Sequence, residues 1–166
     1  MRVLGIDPGA SATGYGIVAR SDGVLQAIEY GSIVTSPADP FPVRLQQIFG
    51  RLAELIRRHH PEWVAVETLV FAKNAQSAFR LGQARGVALL AAAEGRLVVA
   101  EYTPLQVKGA VTGYGAATKV QVQRMVQSLL RLRTPPAPLD AADALAVAIC
   151  HHHSAPLRHL LRGRRR

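Results

Sequence analysis

The apolar positions fall first into short runs bounded by turn residues, then into stripes of helical spacing. Arg2-Val-Leu-Gly-Ile-Asp7 is an apolar strand broken by Pro8-Gly9, and Gly14–Arg20 and Val24–Val34 read as two more strands. Asp22-Gly23 between the latter two is a tight-turn signal, so the first three strands are expected to form an antiparallel meander. From Phe41 to about His59 the apolar residues Leu45, Ile48, Phe49, Leu52, Leu55 and Ile56 form a helical stripe, which Pro61 stops. Trp63–Glu67 reads as a short buried strand, 74–94 as a long helix, and Leu97–Tyr102 as a fifth strand. Thr103-Pro104 opens a short helix as N-cap and first helical residue. The Gly113-Tyr114-Gly115 loop precedes another amphipathic helix from Lys119 to Leu132, and the stiff segment Thr134–Pro138 delivers a last helix from Asp140 to about His152. Strands that meet first and then alternate with helices predict an α/β layer fold around a mixed five-stranded sheet flanked by helices.

Two residue patterns refine this outline. Ala75, Ala78, Phe79, Gly82, Gly86 and Leu89 make an unusually small face on the long helix, which suits either a second copy of the chain or close packing on its own sheet. His151, His152 and His153 are consecutive and fan out around a helix, so they cannot share one ion and are expected to mark a frayed polar helix end. Cys150 has no second thiol, which argues against a disulfide framework or a zinc site and fits a reducing cytoplasm.

At 166 residues the chain is expected to be a single domain over 1–153, followed by an Arg-rich, flexible C-terminal tail over 154–166. Its apolar runs break well before the roughly 18 residues a membrane span needs, and no signal peptide is expected ahead of Met1-Arg2. Charge adds the strongest constraint. Twenty Lys and Arg stand against eleven Asp and Glu, for a net charge of +9, and only three of the twenty are Lys. Arginine suits forked phosphate contacts, and five arginines crowd the last nine residues (Arg158, Arg162, Arg164, Arg165, Arg166). A nucleic acid is the polyanion this composition favours over a membrane surface, because no basic amphipathic helix is present.

Against that basic background four carboxylates stand out. Asp7 and Glu67 each end a buried strand; if those strands are parallel neighbours, the two ends lie about 5 Å apart. Asp140 and Asp143 are spaced i, i+3 near the start of an otherwise Ala/Leu/Val helix, so they leave one face a turn apart. Each has a local explanation as a turn former, a cap or a dipole partner. None of these explains why two buried strands also end in acids in a phosphate-seeking protein. Converging carboxylates repel unless a cation neutralises them, and an all-oxygen set selects hard ions, Mg²⁺ first with Mn²⁺ able to substitute. Two such ions roughly 4 Å apart can activate water and stabilise a leaving oxygen in phosphodiester hydrolysis. Lys108 and Lys119 flank the Gly113–Gly115 loop, and Lys73 and Arg80 follow the loop after Glu67, so all four are candidates to hold DNA.

Gly5-Ile-Asp-Pro-Gly9, Ala72-Lys-Asn74, Leu81-Gly-Gln-Ala-Arg-Gly-Val-Ala88, Gln106-Val-Lys108 and Asp140-Ala-Ala-Asp-Ala-Leu-Ala146 together resemble the RuvC family of bacterial Holliday-junction resolvases. The likeness runs in order from residue 3 to about residue 153. It implies a ribonuclease-H-like fold and a homodimer that nicks two opposed strands of a four-way DNA junction, leaving 5′-phosphate and 3′-hydroxyl ends, in recombination and repair. It further implies Asp7, Glu67, Asp140 and Asp143 as catalytic metal ligands and Lys108 and Lys119 as DNA contacts. The helix from Asn74 would lie at the dimer interface, and the RuvA–RuvB branch-migration complex would be a partner. One departure concerns the aromatic that acts against unpaired bases in this family: the segment Glu67-Thr-Leu-Val-Phe71 displaces it by one position. Phe71 therefore either stacks on DNA or packs inward. Two other classes compete: an actin-like or sugar-kinase-like ATPase lobe, whose phosphate loop can also read Gly-Ile-Asp-x-Gly, and a junction-binding protein without catalysis.

Overall fold

The computed structural model describes residues 1–68 and 75–163, with side chains through Ser154. Strands β1 (Arg2–Asp7), β2 (Ala12–Ser21) and β3 (Val24–Val34) form the expected meander, with Asp22 and Gly23 both at positive φ (50° and 80°) in the tight turn between β2 and β3. Helix α1 (Phe41–His59) is followed by β4 (Trp63–Glu67), α2 (Ala75–Glu94) and β5 (Val98–Tyr102). Helices α3 (Pro104–Thr112), α4 (Lys119–Leu129) and α5 (Leu139–Gly163) complete the chain. The sheet order is β3-β2-β1-β4-β5, antiparallel from β3 to β1 and parallel from β1 through β4 to β5.

Side chains alternate across a strand, and β1 separates two different layers by that rule. Leu4 and Ile6 point to one face and pack with Ile17, Val64 and Val66 under α1 and α2, which contribute Ile48, Leu52, Leu55, Ala84 and Ala88. Val3, Gly5 and Asp7 point to the other face, where α3, α4 and α5 lie. Its core includes Val18, Ala65, Tyr102, Val107, Val122, Val126 and Leu145. Helix α5 is apolar almost all round, as a buried helix should be. From Ala141 to His152 every side chain is buried except that of Asp143.

Two sequence expectations change at this point. The histidines are not a frayed end. His151 and His152 are 1% and 0% exposed, the Tyr102 hydroxyl lies 2.9 Å from His151 Nδ1, and His152 Nε2 lies 3.0 Å from the Val18 carbonyl. These polar partners sit on β5 and β2, far away in the chain, and they let imidazoles occupy a core. The last helix also continues past the expected stop near His152 and through Pro156 to Gly163. A proline removes only its own N–H donor, so the turns on either side can persist when the helix is anchored elsewhere.

Candidate metal centre and nucleic-acid cleft

Strand register brings the first two acids together. Val3 pairs with Trp63 and Ile6 with Val66 in the parallel β1–β4 ladder, so the next position along sets Asp7 beside Glu67 on the α5 face. Asp7 also pairs with Gly14 across the antiparallel β1–β2 ladder. Glycine is required there. A Cβ on Gly14 would stand 2.0 Å from the Asp140 carbonyl oxygen, one on Gly5 2.1 Å from the Ala144 oxygen, and one on Gly16 2.7 Å from Leu145. Three glycines on β1 and β2 thus let the start of α5 lie directly on the sheet, with Asp140 and Asp143 above the strand ends. Neither the role of this seam nor that of Arg44 was read from the sequence. The available signal for the seam was Gly14 and Gly16, two apart in an apolar strand, opposite an Ala-rich helix.

The turn that ends β1 is held firmly. The Thr13 hydroxyl donates to the Gly9 carbonyl at 2.7 Å. The Arg44 guanidinium, 6% exposed, donates from Nη2 to the Ala10 carbonyl (2.6 Å) and the Ser11 hydroxyl (3.2 Å), and from Nε to Thr35 Oγ1 (3.0 Å). Thr35 in turn donates to the Ala10 carbonyl at 2.9 Å. Asp7 therefore sits at the end of a strand beyond which Gly9, Ala10 and Ser11 are each held by side-chain donors.

The acids feel one another. Burial, then the charges of Asp143, Glu67 and Asp140, push the Asp7 carboxyl up to about 7, against the opposing pull of Lys119. Burial and the Asp143 charge also raise Glu67, with Lys119 and Lys108 opposing. Lys119 Nζ donates to Asp143 Oδ2 at 2.8 Å; that hydrogen bond, helped by the charges of Asp143, Asp7 and Asp140 against burial, holds the ammonium above its ordinary range. Glu67, Asp143, Lys108 and Lys119 line a cleft of about 220 Å³ floored by Val107, Val122 and Ala146. Among the described residues, no group of three His, Cys, Asp or Glu side chains is placed to hold an ion as it stands. Asp143 is turned toward Lys119 instead. The donor set nonetheless fits a hard divalent cation. It is all carboxylate oxygen, and the neighbouring acid charges raise the proton affinity of Asp7 and Glu67, a repulsion that a dication relieves.

The other sequence candidates are placed less centrally. Arg80 lies on α2 beneath the opposite face of the sheet, its guanidinium carbon 5.8 Å from the centre of the Phe41 ring, which Arg44 also approaches at 5.6 Å. Phe71 and Lys73 lie outside the described residues.

A family model described as "Crossover junction endodeoxyribonuclease RuvC" matches residues 3–151. The chain belongs to the RuvC family. The crossover junction endodeoxyribonuclease RuvC of Pelotomaculum thermopropionicum is 54% identical over 153 residues, covering 92% of this chain and 93% of that one. The RuvC structure from Thermus thermophilus superposes with a TM-score of 0.87 at 38% identity, over 95% of this chain and 97% of its own. The same protein in complex with a Holliday junction substrate gives 0.87 at 36% identity, over 95% and 96%. The ribonuclease-H-like α/β fold expected from the sequence is therefore correct, and the chain is a crossover junction endodeoxyribonuclease. RuvC nucleases are divalent-metal-dependent as a family. The ATPase-lobe reading is not favoured, and a binder without catalysis gives way to an enzyme. No described helix is long and apolar enough to cross a membrane.

Proposed function

We propose that Asp7, Glu67, Asp140 and Asp143 hold a pair of Mg²⁺ ions, with Mn²⁺ able to substitute, and that the chain uses them to resolve four-way DNA junctions. The observation that carries the reading is that the parallel β1–β4 register and the glycine seam gather Asp7, Glu67, Asp140 and Asp143 at one end of the sheet, beside a cleft lined by Lys108 and Lys119. Bound there, divalent cations would supply a water acidic enough to attack at neutral pH and would stabilise the leaving 3′ oxygen. Asp7, on the central strand between Gly14 and Glu67, is the fixed point of the set. Asp143 has a competing partner in Lys119. When a phosphate enters, Lys119 can turn from that carboxylate to the phosphate oxygens, and Lys108 can hold the same group from α3. The products would carry 5′-phosphate and 3′-hydroxyl ends.

Symmetric nicking of two opposed strands calls for two such sites related by a twofold axis, and α2 supplies a suitable face. Phe79, Gly82, Gln83, Gly86 and Leu90 are exposed at helical spacing, and nothing lies within 4 Å of where a Cβ on Gly82 or Gly86 would stand. A second copy docking there would make the homodimer, so this face favours the subunit interface over close packing on the chain's own sheet. Residues 1–153 form the nuclease domain in this reading, and the basic segment 154–166 extends it. Lys73, Arg80 and Phe71 would meet DNA beyond the cleft. The RuvA–RuvB complex would be the partner, and the cytoplasm the place of action.

A synthetic four-way junction incubated with protein and Mg²⁺ tests the assignment. Asp7→Asn and Glu67→Gln should each bind the junction yet cut it more than about 100-fold slower, beyond what losing an outer partner of a metal ligand costs. Either variant cutting at the wild-type rate would remove the metal assignment.

A further inference from the structure

The loop between α3 and α4 has no place in the chemistry above, yet it is built to present one side chain. Gly113 caps α3 at φ 75°, its N–H donating to the Gly109 carbonyl. The Thr112 hydroxyl lies 2.8 Å from the Lys108 carbonyl and 2.9 Å from the Tyr114 carbonyl, and accepts from the Tyr114 N–H at 3.1 Å. The Ala117 N–H closes the loop onto the Tyr114 carbonyl at 3.2 Å. A Cβ on Gly115 would stand 2.4 Å from Leu105 Cδ1, so the chain passes tightly over Leu105. These bonds hold the Tyr114 backbone on both its N–H and its carbonyl, while its side chain makes no hydrogen bond to the described residues and stays 64% exposed; the neighbouring Leu105 is 69% exposed.

A single exposed aromatic needs no explanation. A rigidly held one with an exposed leucine beside it is different, because Lys108 and Lys119 bracket it in the chain and both line the catalytic cleft. An apolar protein partner would have to bury those two ammonium groups. A nucleic acid matches both features, since its phosphates meet the lysines and a base offers a π-face to the ring. We propose that Tyr114, backed by Leu105, is a stacking platform for a nucleobase unstacked beside the phosphate that Lys108 and Lys119 hold. This places an aromatic DNA contact on the α3–α4 side of the cleft. The inference rests on the reading of the cleft as the DNA-cleaving site.

Junctions carrying 2-aminopurine at one nucleotide at a time around the mapped cut positions test it, because stacking on tyrosine quenches that base. Wild-type protein should quench one such position, Tyr114→Ala should leave it bright, and Tyr114→Phe should restore the quench. Cleavage should fall about 10-fold in Tyr114→Ala and stay within about twofold of wild type in Tyr114→Phe, as loss of one base–aromatic contact predicts. The melting temperature should not move, since the ring is exposed. Equal quenching by wild type and Tyr114→Ala at every position overturns the proposal, and so does a Tyr114→Phe protein as impaired as Tyr114→Ala. A wild-type protein that quenches but never cuts with Mg²⁺ would instead sink the nuclease assignment and leave the platform standing.

Discussion

The two faces of one sheet are built by opposite rules. Under α1 and α2, β1 offers Leu4 and Ile6, β4 offers Val64 and Val66, and α1 answers with Ile48, Leu52, Leu55 and Ile56 while α2 adds Ala84 and Ala88. Over the other face β1 offers Gly5 and Asp7, β2 offers Gly14 and Gly16, and β4 ends in Glu67. The first face gains stability from side-chain volume. The second gives up volume so that the α5 backbone can touch the strands, and spends some of the stability so gained on carboxylates that burial and mutual repulsion disfavour. A rigid aliphatic layer beneath makes the charged layer above tolerable, because its strands cannot spread when the acids repel.

The largest expected effect breaks the aliphatic layer. Leu52→Ala on α1 removes a side chain that is 0% exposed and should cost about 2–5 kcal/mol in urea unfolding. Cleavage per folded molecule should hardly change, because Leu52 packs on the face of β1 and β4 opposite the one that carries the acids; a matching fall in the rate of the folded fraction would mean that the faces are not separable. The reverse change is Gly14→Ala. Its Cβ would meet the Asp140 carbonyl oxygen at 2.0 Å, with no flexible atom to yield, so the start of α5 must shift. Cutting should drop about 10²-fold, the usual cost of misplacing a catalytic group by an ångström. Gly31→Ala on the other face is the control, since the nearest atoms to its Cβ belong to the Tyr15 ring and hydroxyl, a side chain rather than backbone. Equal cleavage by Gly14→Ala and Gly31→Ala would show that the glycine seam does not position Asp140.

How far the sequence disclosed this division depended on whether the signal was local. Asp22-Gly23 and Thr103-Pro104 announced their turn and cap because the chemistry lies within four residues; the Thr103 hydroxyl indeed accepts from the Gln106 N–H. The four acids were legible because each contradicts its surroundings, either at the end of an apolar strand or on an apolar helix. The glycine seam was visible as residues but not as a contact, since its partners on α5 lie more than 120 positions away. His152 was misread for the same reason, as its partner is the Val18 carbonyl, 134 residues distant. Arg44 is legible only with the fold in hand, because its buried partners, the Ala10 carbonyl and the Thr35 hydroxyl, lie on loops outside its own helix.

The smallest effect concerns two titrations on the charged face that pull in opposite directions. The Asp7 carboxyl is raised from 3.8 to about 7, so the folded chain takes up its proton before the unfolded chain does. Its contribution to stability is fully present below 3.8 and is lost as pH rises through 7. Burial lowers the His152 imidazole, with the charges of Arg20, the N-terminus and His153 adding to it and the Val18 hydrogen bond opposing. The unfolded chain then takes up that proton first, so stability is lost as pH falls below 6.5. One proton is worth at most about 1.4 kcal/mol per pH unit, so the two slopes oppose each other just below pH 6.5, and the Asp7 slope acts alone between 6.5 and about 7. Single variants separate them. Asp7→Asn should raise metal-free stability at pH 7.5 by on the order of 1 kcal/mol, the gain shrinking toward pH 5.5, and should abolish the further rise that Mg²⁺ gives the wild type. His152→Gln should remove the acid-side loss and leave the Mg²⁺ effect in place. Urea midpoints measured at the two pH values, with and without Mg²⁺, decide the matter. If Asp7→Asn is less stable than wild type at pH 7.5 without metal, the acids are not repelling one another, and the contrast between the faces reduces to packing.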